Sequence, residues 1–248
     1  MTSASQRRLE ARQAREATLL GLAQRILLEE GYLGLTMDRL ASESGYAKGT
    51  LYLHFKNKED LICALLHQFQ VHRMELFDRV QGLELPHRAR MMALGLAAES
   101  FVLGYPENAR IEPILKMASL RNKASLERRE ALEAIETHCM ERILGEAQAA
   151  SLAGELPGPA DTVVQPLVLG LWSLHVGFNV LHNLESSCCG PLPPGTPRHP
   201  HAAMFPVAQR LLDGYGWRPL SHEFDYSSLR TKLIRERFFA EAGALLES

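Results

Sequence analysis

This 248-residue chain is poor in cysteine and lacks the marks of an exported protein. Its four cysteines, Cys63, Cys139, Cys188 and Cys189, form no C-x-x-C pair and have neither the density nor the spacing of a secreted disulfide scaffold. The arginine-rich residues 1–15 are not followed by the apolar segment of a secretory signal. We therefore expect a protein of the reducing cytoplasm.

The chain also lacks an uninterrupted apolar run that would suit a bilayer. The longest apolar stretch, residues 163–180, contains Gln165, Pro166, His175 and Asn179. Polar side chains at the centre of a bilayer are costly, so this composition is a poor one for a membrane span. The hydrophobic fraction of 46% is nevertheless enough to build a core. We expect a soluble protein with no membrane partner.

A strong positive charge is the next feature that is missing. The formal net charge is −2, which argues against a basic coat over the whole surface for nucleic acid. The amino-terminal part is slightly different, because residues 1–60 hold nine Lys and Arg against eight Asp and Glu. Within residues 39–58 four cations face one carboxylate: Arg39, Lys48, Lys56 and Lys58 against Glu43. Any contact with DNA is therefore predicted to depend on this local basic patch.

Alternating β-strand patterns are absent, whereas apolar residues recur with a helical period along almost the whole chain. Thr36 and Asn57 are predicted helix caps, and Gly31 and Gly45 are predicted helix stops. The fold class is therefore all-α. The predicted helices cover residues 5–30, 36–44, 47–53, 57–80, 86–103, 107–119, 123–150, 161–183, 201–214 and 227–246.

The simplest division of the chain is at residue 60. Residues 1–60 combine one long helix with short ones and are predicted to be a three-helix DNA-binding module with a helix-turn-helix. Residues 61–248 hold the longer helices and are predicted to be a larger helical domain for effector binding and dimerisation. Residues 186–201, rich in Pro, Gly and His, are predicted to form a loop.

The most informative stretch is residues 36–61, T-M-D-R-L-A-S-E-S-G-Y-A-K-G-T-L-Y-L-H-F-K-N-K-E-D-L. Two short amphipathic helices joined by a tight turn at a glycine, and packed on a third helix, place one helix in the major groove of DNA. Leu40, Ala41, Leu51 and Phe55 are predicted to supply the apolar contacts that fix their crossing. The segment therefore predicts a helix-turn-helix.

The outer face of the second short helix carries side chains that bind DNA well. Lys48, Thr50, Tyr52 and His54 are phosphate or base-edge donors, and Gly49 permits a close approach of the backbone. An ordinary solvated helix face is the alternative interpretation of the same pattern. The coincidence of the turn, the apolar contacts and the donors favours DNA binding.

The string from Gly45 to Leu61 resembles the signature of TetR-type transcriptional repressors, and the upstream Glu30-Gly31-Tyr32 and residues 36–41 fit as well. The resemblance covers about the first quarter of the chain. It implies a homodimer that binds duplex operator DNA and is released by a small molecule. The remaining residues resemble the family only in being helical and of suitable length.

The resemblance also implies roles for single residues. Thr36 and Lys58, each at a helix start, would hold phosphates. Two positions depart from the common pattern, because Tyr46 replaces a smaller apolar residue and Ala47 replaces a hydroxyl residue that caps the recognition helix. The complete predicted DNA-binding set is Thr36, Tyr46, Ala47, Lys48, Gly49, Thr50, Tyr52, His54 and Lys58.

The predicted helix at residues 161–183 is apolar nearly all round, which is typical of a helix buried on every side. Glycines at helical spacing let a second helix approach closely, which favours a four-helix dimer interface. A core helix packed only within its own chain is the alternative. The residues predicted for the interface are Leu167, Gly170, Leu174, Gly177 and Leu181.

Another stripe of this helix carries polar groups that need partners or water if they are buried. A mostly apolar ligand cavity with few polar anchors would supply both, although the same groups could bond within the core. The residues predicted to line it are Trp172, His175, Phe178 and Asn179, with Phe101, Tyr105 and Met117 from neighbouring helices. His182 lies on the same stripe.

Three other functions are weighed against a ligand-responsive regulator. Cys188 and Cys189 with His199 and His201 are residue types that bind zinc, but adjacent cysteines chelate one ion poorly, and no metal is predicted. We find no nucleophile with a base and an orienting group, so no catalytic residue and no cofactor are predicted. A DNA-binding protein that responds to a protein partner rather than to a small molecule stays open.

Overall fold

The computed structural model describes residues 4–117, 120–183 and 201–246, and within these residues the chain is helical with no strand. The all-α prediction is confirmed. The α-helices are α1 (Ala4–Gly34), α2 (Met37–Ser44), α3 (Lys48–Tyr52), α4 (Lys58–Asp78), α5 (His87–Gly104), α6 (Pro106–Met117), α7 (Leu126–Leu152), α8 (Ala160–Asn183), α9 (His201–Gly214), α10 (Tyr226–Arg237) and α11 (Phe239–Ala242). Short 3₁₀ helices cover Arg121–Lys123 and Gly243–Leu246.

Most helix ends lie within a few residues of their predicted positions, but the last helix does not. The predicted helix 227–246 is divided into α10, α11 and a 3₁₀ turn, because Phe238 leaves the helical conformation and is fully buried. The predicted stop at Gly31 is a break rather than an end. Gly31 has φ 68° and ψ −170°, and α1 continues beyond it to Gly34.

The predicted capping residues in the amino-terminal part do what their chemistry suggests. The hydroxyl of Thr36 accepts a hydrogen bond from the backbone N–H of Arg39 (3.1 Å) at the start of α2. Gly45 ends α2 with φ 71°, a left-handed conformation in which a side chain would be strained. Asn57 Oδ1 accepts from the backbone N–H of Asp60 (2.8 Å) at the start of α4. Thr36 and Gly45 therefore set the limits of α2, and Asn57 sets the start of α4.

The chain divides into two compact units, and each unit is built from two separate segments of the sequence. The smaller unit contains Met1–Gln70 and Ile111–Glu136, and the larger unit contains Val71–Arg110 and Thr137–Ser248. The predicted boundary at residue 60 does not coincide with this division. Residues 111–136, which sequence reasoning assigned to the effector domain, pack in the smaller unit.

The physical reason is a set of hydrogen bonds between residues 120–128 and the start of α4. Asn57 Nδ2 donates to the carbonyl of Lys123 (2.9 Å), and the Asp60 carboxylate accepts from the backbone N–H groups of Ser125 (2.6 Å) and Lys56 (3.0 Å). Because Lys123 and Ser125 lie more than 60 residues from Asn57 and Asp60, no local sequence pattern predicts the bonds between them. They make residues 111–136 a part of the smaller unit.

The core of the larger unit is built from α5, α7, α8, α9 and α10, and a buried arginine fastens three of its segments. Arg88, on α5, is 0% exposed. Its guanidinium donates to the carbonyls of Trp217 (2.6 Å) and Gln209 (3.1 Å), and it pairs with Asp213 (2.8 Å). A buried charge is tolerated only when it is paired and hydrogen-bonded, and this one is.

We predict that Arg88→Met lowers the free energy of unfolding by about 3–5 kcal/mol, because it leaves buried carbonyls and one carboxylate without their partner. Chemical denaturation monitored by circular dichroism measures this. The matched control is Arg218→Met, which removes an exposed arginine paired with Glu223 and is expected to cost less than about 1 kcal/mol. Equal losses in the two variants would contradict the structural role of Arg88.

Candidate functional site

The helix-turn-helix is formed by α2 and α3, which cross over a shared apolar contact. Leu40, Leu51 and Phe55 are fully buried and Ala41 nearly so, as the sequence predicts. The turn between the helices is closed by Ser44, whose hydroxyl donates to the carbonyl of Ala41 (3.2 Å) and accepts from the backbone N–H of Tyr46 (3.3 Å). The turn and the apolar contact together hold α3 at a fixed angle to α2.

The outer face of α3 is open to solvent, as a helix that enters a groove requires. Four of the predicted residues, Ala47, Lys48, Gly49 and Tyr52, are exposed, and so is Thr36 at the start of α2. Tyr46 and Thr50 are half-buried. Ala47 occupies the cap position of α3 and makes no side-chain cap. Gly49 has open space around the position of a Cβ, so the backbone is accessible there.

The predicted basic patch is less positive than the sequence count suggests. Lys48 Nζ lies 2.6 Å from the Asp38 carboxylate, and this hydrogen bond raises the pKa of Lys48. Arg39 binds Glu30 and Glu43, which raise its pKa. Glu30 and Asp38 precede the counted window in sequence, but the fold brings them to it. Two of the four cations in the patch are therefore already paired.

Lys58 is placed differently from its predicted role as a phosphate ligand. Its Nζ donates to the backbone carbonyl of Tyr32 and lies 3.5 Å from the centroid of the Tyr32 ring. Burial lowers the pKa of Lys58. The ammonium group is thus satisfied by the end of α1, and we remove Lys58 from the candidate DNA-binding set.

His54 also departs from its predicted role. Its side chain is only 3% exposed, and Nδ1 lies 3.4 Å from a carboxylate oxygen of Glu16 on α1. Arg128, on α7, donates to the other oxygen of Glu16 (2.7 Å) and to the backbone carbonyl of His54 (3.2 Å). A buried ring cannot reach DNA. His54 instead helps to fix the end of α3 to α1 and α7.

A cleft beside α3 is the main feature that sequence reasoning missed in this unit. It is lined by Arg12 and Arg15 of α1 and by Thr50, Leu53 and His54. Leu53 is 77% exposed, which is unusual for a large apolar side chain next to buried Phe55. The composition of the arginine-rich start of the chain does not by itself predict this position. The helical spacing of these arginines was the signal that could have placed them here.

In the larger unit, α8 packs one face into the core and leaves another face exposed. Leu167 is fully buried in the core, and a Cβ on Gly170 would lie 3.3 Å from Leu211 of α9. Both predicted interface residues therefore make contacts within the chain, and we leave them out of the proposed interface. Leu174 is half-buried, Gly177 has open space around it, and Leu181 is exposed.

The exposed face of α8 is an apolar stripe at spacing i, i+3, i+7, formed by Leu169, Trp172 and Val176. The sequence predicts that Trp172 lines a ligand cavity. In the structure its side chain is 50% exposed and does not line a cavity within this chain. By length and composition α8 could also cross a membrane. Its buried face, however, packs against α9 and α5 as in a core helix.

Two of the predicted ligand residues belong to an aromatic stack in the larger unit. The fully buried Phe101 stacks on Tyr105 (centroids 5.5 Å apart), and Tyr105 stacks on His72 (4.8 Å). The guanidinium of Arg73 lies 4.3 Å from the centroid of Phe101. His72 and Arg73 were not predicted. They add two nitrogen-rich side chains to an apolar cluster.

The remaining predicted ligand residues lie on α8. Asn179 is buried and donates to the carbonyl of Ala109 (3.4 Å), four residues after Tyr105, so it reaches the helix that follows the aromatic stack. His175 and Phe178 are half-buried. Outside the described part of the structure lie the side chains of Met117, His182 and His201 and the whole of Cys188, Cys189 and His199.

One further buried group in this unit has no counterpart in the sequence predictions. Glu99, on α5, is fully buried, and its only hydrogen bond among the described residues is one of 3.4 Å from Arg230. Burial raises the pKa of Glu99 to about 7. A single acidic residue in an apolar helix gives no sequence pattern that would announce this environment.

Comparison with known proteins matches residues 19–65 to the family described as bacterial regulatory proteins, tetR family. The fatty acid metabolism regulator protein of Bacillus subtilis (strain 168) is 36% identical over 50 residues, which cover 20% of this chain and 26% of that protein. An HTH-type transcriptional regulator of Staphylococcus aureus (strain USA300) is 48% identical over 40 residues, 16% of this chain and 22% of that protein. The matched sequence thus spans about a quarter of these curated relatives.

Solved structures match over most of the chain. A tetR-family regulatory protein from Rhodococcus RHA1 has a TM-score of 0.61 at 16% identity and covers 82% of this chain and 97% of its own. FadR from Bacillus subtilis, solved in complex with stearoyl-CoA, has a TM-score of 0.62 at 17% identity and covers 79% and 97%. At these identities the likeness shows the fold.

The Lys48–Asp38 pair generates a prediction for DNA binding. Asp38→Asn should free Lys48 and remove a negative charge from the face of α2 and α3, so affinity for all duplexes should rise and the plot of log K against log salt should steepen by about 1. Fluorescence anisotropy at several salt concentrations measures both. The double variant Lys48→Ala/Asp38→Asn lacks the freed lysine, so the steepening of its salt slope relative to the wild type should disappear. A gain in DNA affinity that persists in the double variant would contradict this account of the pair.

Proposed function

We propose that the chain, whose residues 19–65 match the tetR family of bacterial regulatory proteins, is a homodimeric DNA-binding transcriptional regulator, a repressor that a small and largely apolar ligand releases from its operator. The observation that carries the DNA-binding part is the exposed outer face of α3 on a buried helix-turn-helix core. The proposed contacts are Thr36, Tyr46, Ala47, Lys48, Gly49, Thr50 and Tyr52.

These residues divide the work of recognition. Lys48 and Thr50 lie on the helix that would enter the major groove, where side chains read base edges. Thr36 and Tyr52 are exposed hydroxyl side chains at its borders, where contacts with phosphates position a protein without selecting sequence. Operator preference therefore depends on α3, and register depends on its neighbours.

The proposal of a homodimer rests on the exposed face of α8. Leu169, Trp172 and Val176 form an apolar stripe on a helix whose other face is already packed in the core. Contiguous apolar surface on a protein in water marks an interaction site, and a two-fold dimer covers the same stripe on both copies. The proposed interface is this stripe with Leu181 and the open side of Gly177.

Val176→Glu should abolish the dimer, because it would bury two carboxylates against each other at the centre of the stripe. Sedimentation velocity at micromolar concentration measures the oligomeric state. The matched control is Leu152→Glu, which introduces the same charge at a residue that is 90% exposed and lies on α7 rather than α8. If Val176→Glu stays dimeric, or if both variants dissociate, the stripe is not the interface.

The proposed effector site is the aromatic stack of the larger unit together with Asn179. Phe101 and Tyr105 offer apolar surface. Arg73 and His72 lie beside them, and their side chains are suited to bind an anionic group of a ligand. A fatty acid metabolism regulator is among the relatives, and one neighbour in fold holds stearoyl-CoA. Long-chain acyl-CoA is therefore the first ligand class to test, with Phe178 and His175 as further wall residues.

One experiment tests regulation and effector together. Duplexes are selected from a random pool, and affinity for the selected operator is measured at fixed salt with and without stearoyl-CoA. A ligand that favours the released state should lower operator affinity, and at a hundred times its dissociation constant it should stabilise the protein by about 2.7 kcal/mol. Coenzyme A alone is the control. Failure to select any duplex would overturn the DNA-binding proposal, whereas stabilisation without loss of operator affinity would overturn the release.

A further inference from the structure

The first turns of α1, about three in number, bury no apolar face that explains their presence. Residues 4–15 are exposed along their whole length, and the buried positions of α1 begin at Leu19. The match to the family also begins at residue 19, so these turns precede it. Most helical stability in proteins comes from the packing of an apolar face, and this segment has none. A function outside the fold of the unit is the simplest reason for it.

Three arginines lie on one face of these turns. Arg8, Arg12 and Arg15 have the spacing i, i+4, i+7, which places them in one stripe along a helix. We call these residues the arginine stripe. Arg7 lies about 100° round the helix from Arg8 and is outside it. The same helical spacing continues the stripe into Leu19, which packs against the core of the smaller unit, so the stripe points to the side on which that unit lies.

The stripe is next to the recognition helix. Arg12 and Arg15 line the open cleft whose other walls include Thr50 and Leu53. Glu16, the residue after the stripe, is bound by Arg128 (2.7 Å), which also donates to the carbonyl of His54 (3.2 Å), so the base of the stripe is tied to the end of α3. The position of these arginines relative to α3 is therefore fixed by named contacts.

The stripe also carries the charge that the predicted basic patch lacks. Lys48 and Arg39 are paired with carboxylates, and Lys58 is bound to Tyr32. In contrast, the three arginines of the stripe form no ion pair or hydrogen bond with any residue that the structure describes. A guanidinium group binds phosphate oxygens in a bidentate manner and keeps its charge at every physiological pH.

From this geometry we infer that the arginine stripe is a second DNA-binding element, which holds the phosphate backbone beside the groove that α3 enters. Arg8 and Arg15 are about 10 Å apart along the helix, and duplex DNA carries one charge in about every 1.7 Å of its axis, so separate phosphates are available to each arginine. The inference rests on the proposed DNA-binding function and adds a binding site to it.

The test uses the full chain and one operator selected with the wild-type protein. In Arg8→Gln/Arg12→Gln/Arg15→Gln the slope of log K against log salt should become shallower by about 2–3 on operator and random duplex alike, because each lost phosphate contact removes about 0.9. The ratio of operator to random affinity should stay the same, since phosphates carry no sequence information. Arg7→Gln, one charge off the stripe, should change the slope by much less.

A variant with three lysines, Arg8→Lys/Arg12→Lys/Arg15→Lys, separates charge from structure and should restore most of the slope. Unchanged slope and affinity in the glutamine variant, with normal operator binding by the wild type, would overturn the inference and leave the proposed function intact. A changed operator preference would mean that the arginines read bases, which contradicts the phosphate assignment. Wild-type protein that binds no duplex would overturn the proposed function itself, and with it this inference.

Discussion

The end of α3 is held by one ionic junction, and the position of this helix depends on it. An isolated helix of five residues is not stable in water, so α3 must be held by contacts outside its own sequence. Leu51 and Phe55 anchor its inner face, and Arg128 joins the His54 carbonyl to Glu16 on α1. Because Arg128 belongs to α7, the position of α3 depends on a segment distant in sequence. Any movement of that segment would change how α3 is presented.

In the smaller unit, the cations near α3 and the cations along α1 are in different electrostatic environments. The cations nearest the recognition face, Lys48 and Arg39, are balanced by carboxylates, which limits their attraction for DNA of every sequence. Arg8, Arg12 and Arg15, which pair with none of the residues that the structure describes, lie along α1, where they would supply affinity without selecting bases. For the proposed repressor, such a division would let sequence preference and total affinity be set independently.

In the larger unit, one face of the long apolar helix α8 is buried in the core and another face is exposed. Its core encloses one face of α8, and Arg88 fastens the segments around α9 by satisfying their carbonyls. The opposite face of α8 keeps its apolar residues in solvent. Glu99 and the stack of Phe101 with Tyr105 place polar and aromatic groups deep in the same unit. The core contacts and the exposed apolar residues of α8 therefore lie on different faces of this helix.

The sequence by itself determined the helical fold, the caps at Thr36 and Asn57, the buried positions Leu40 and Leu51, and the helix-turn-helix, because local periodicity, capping and turn chemistry act over a few residues. Tertiary structure alone decided which groups are available. Periodicity shows that α8 has apolar faces but not which of them the chain itself covers, and only the fold shows that Leu167 lies in the core and Trp172 in solvent. Charge counting likewise could not foresee the pairing of Lys48 with Asp38, or the burial of His54 by a partner 38 residues away. Burial and pairing depend on contacts distant in sequence, and only the folded chain brings them together.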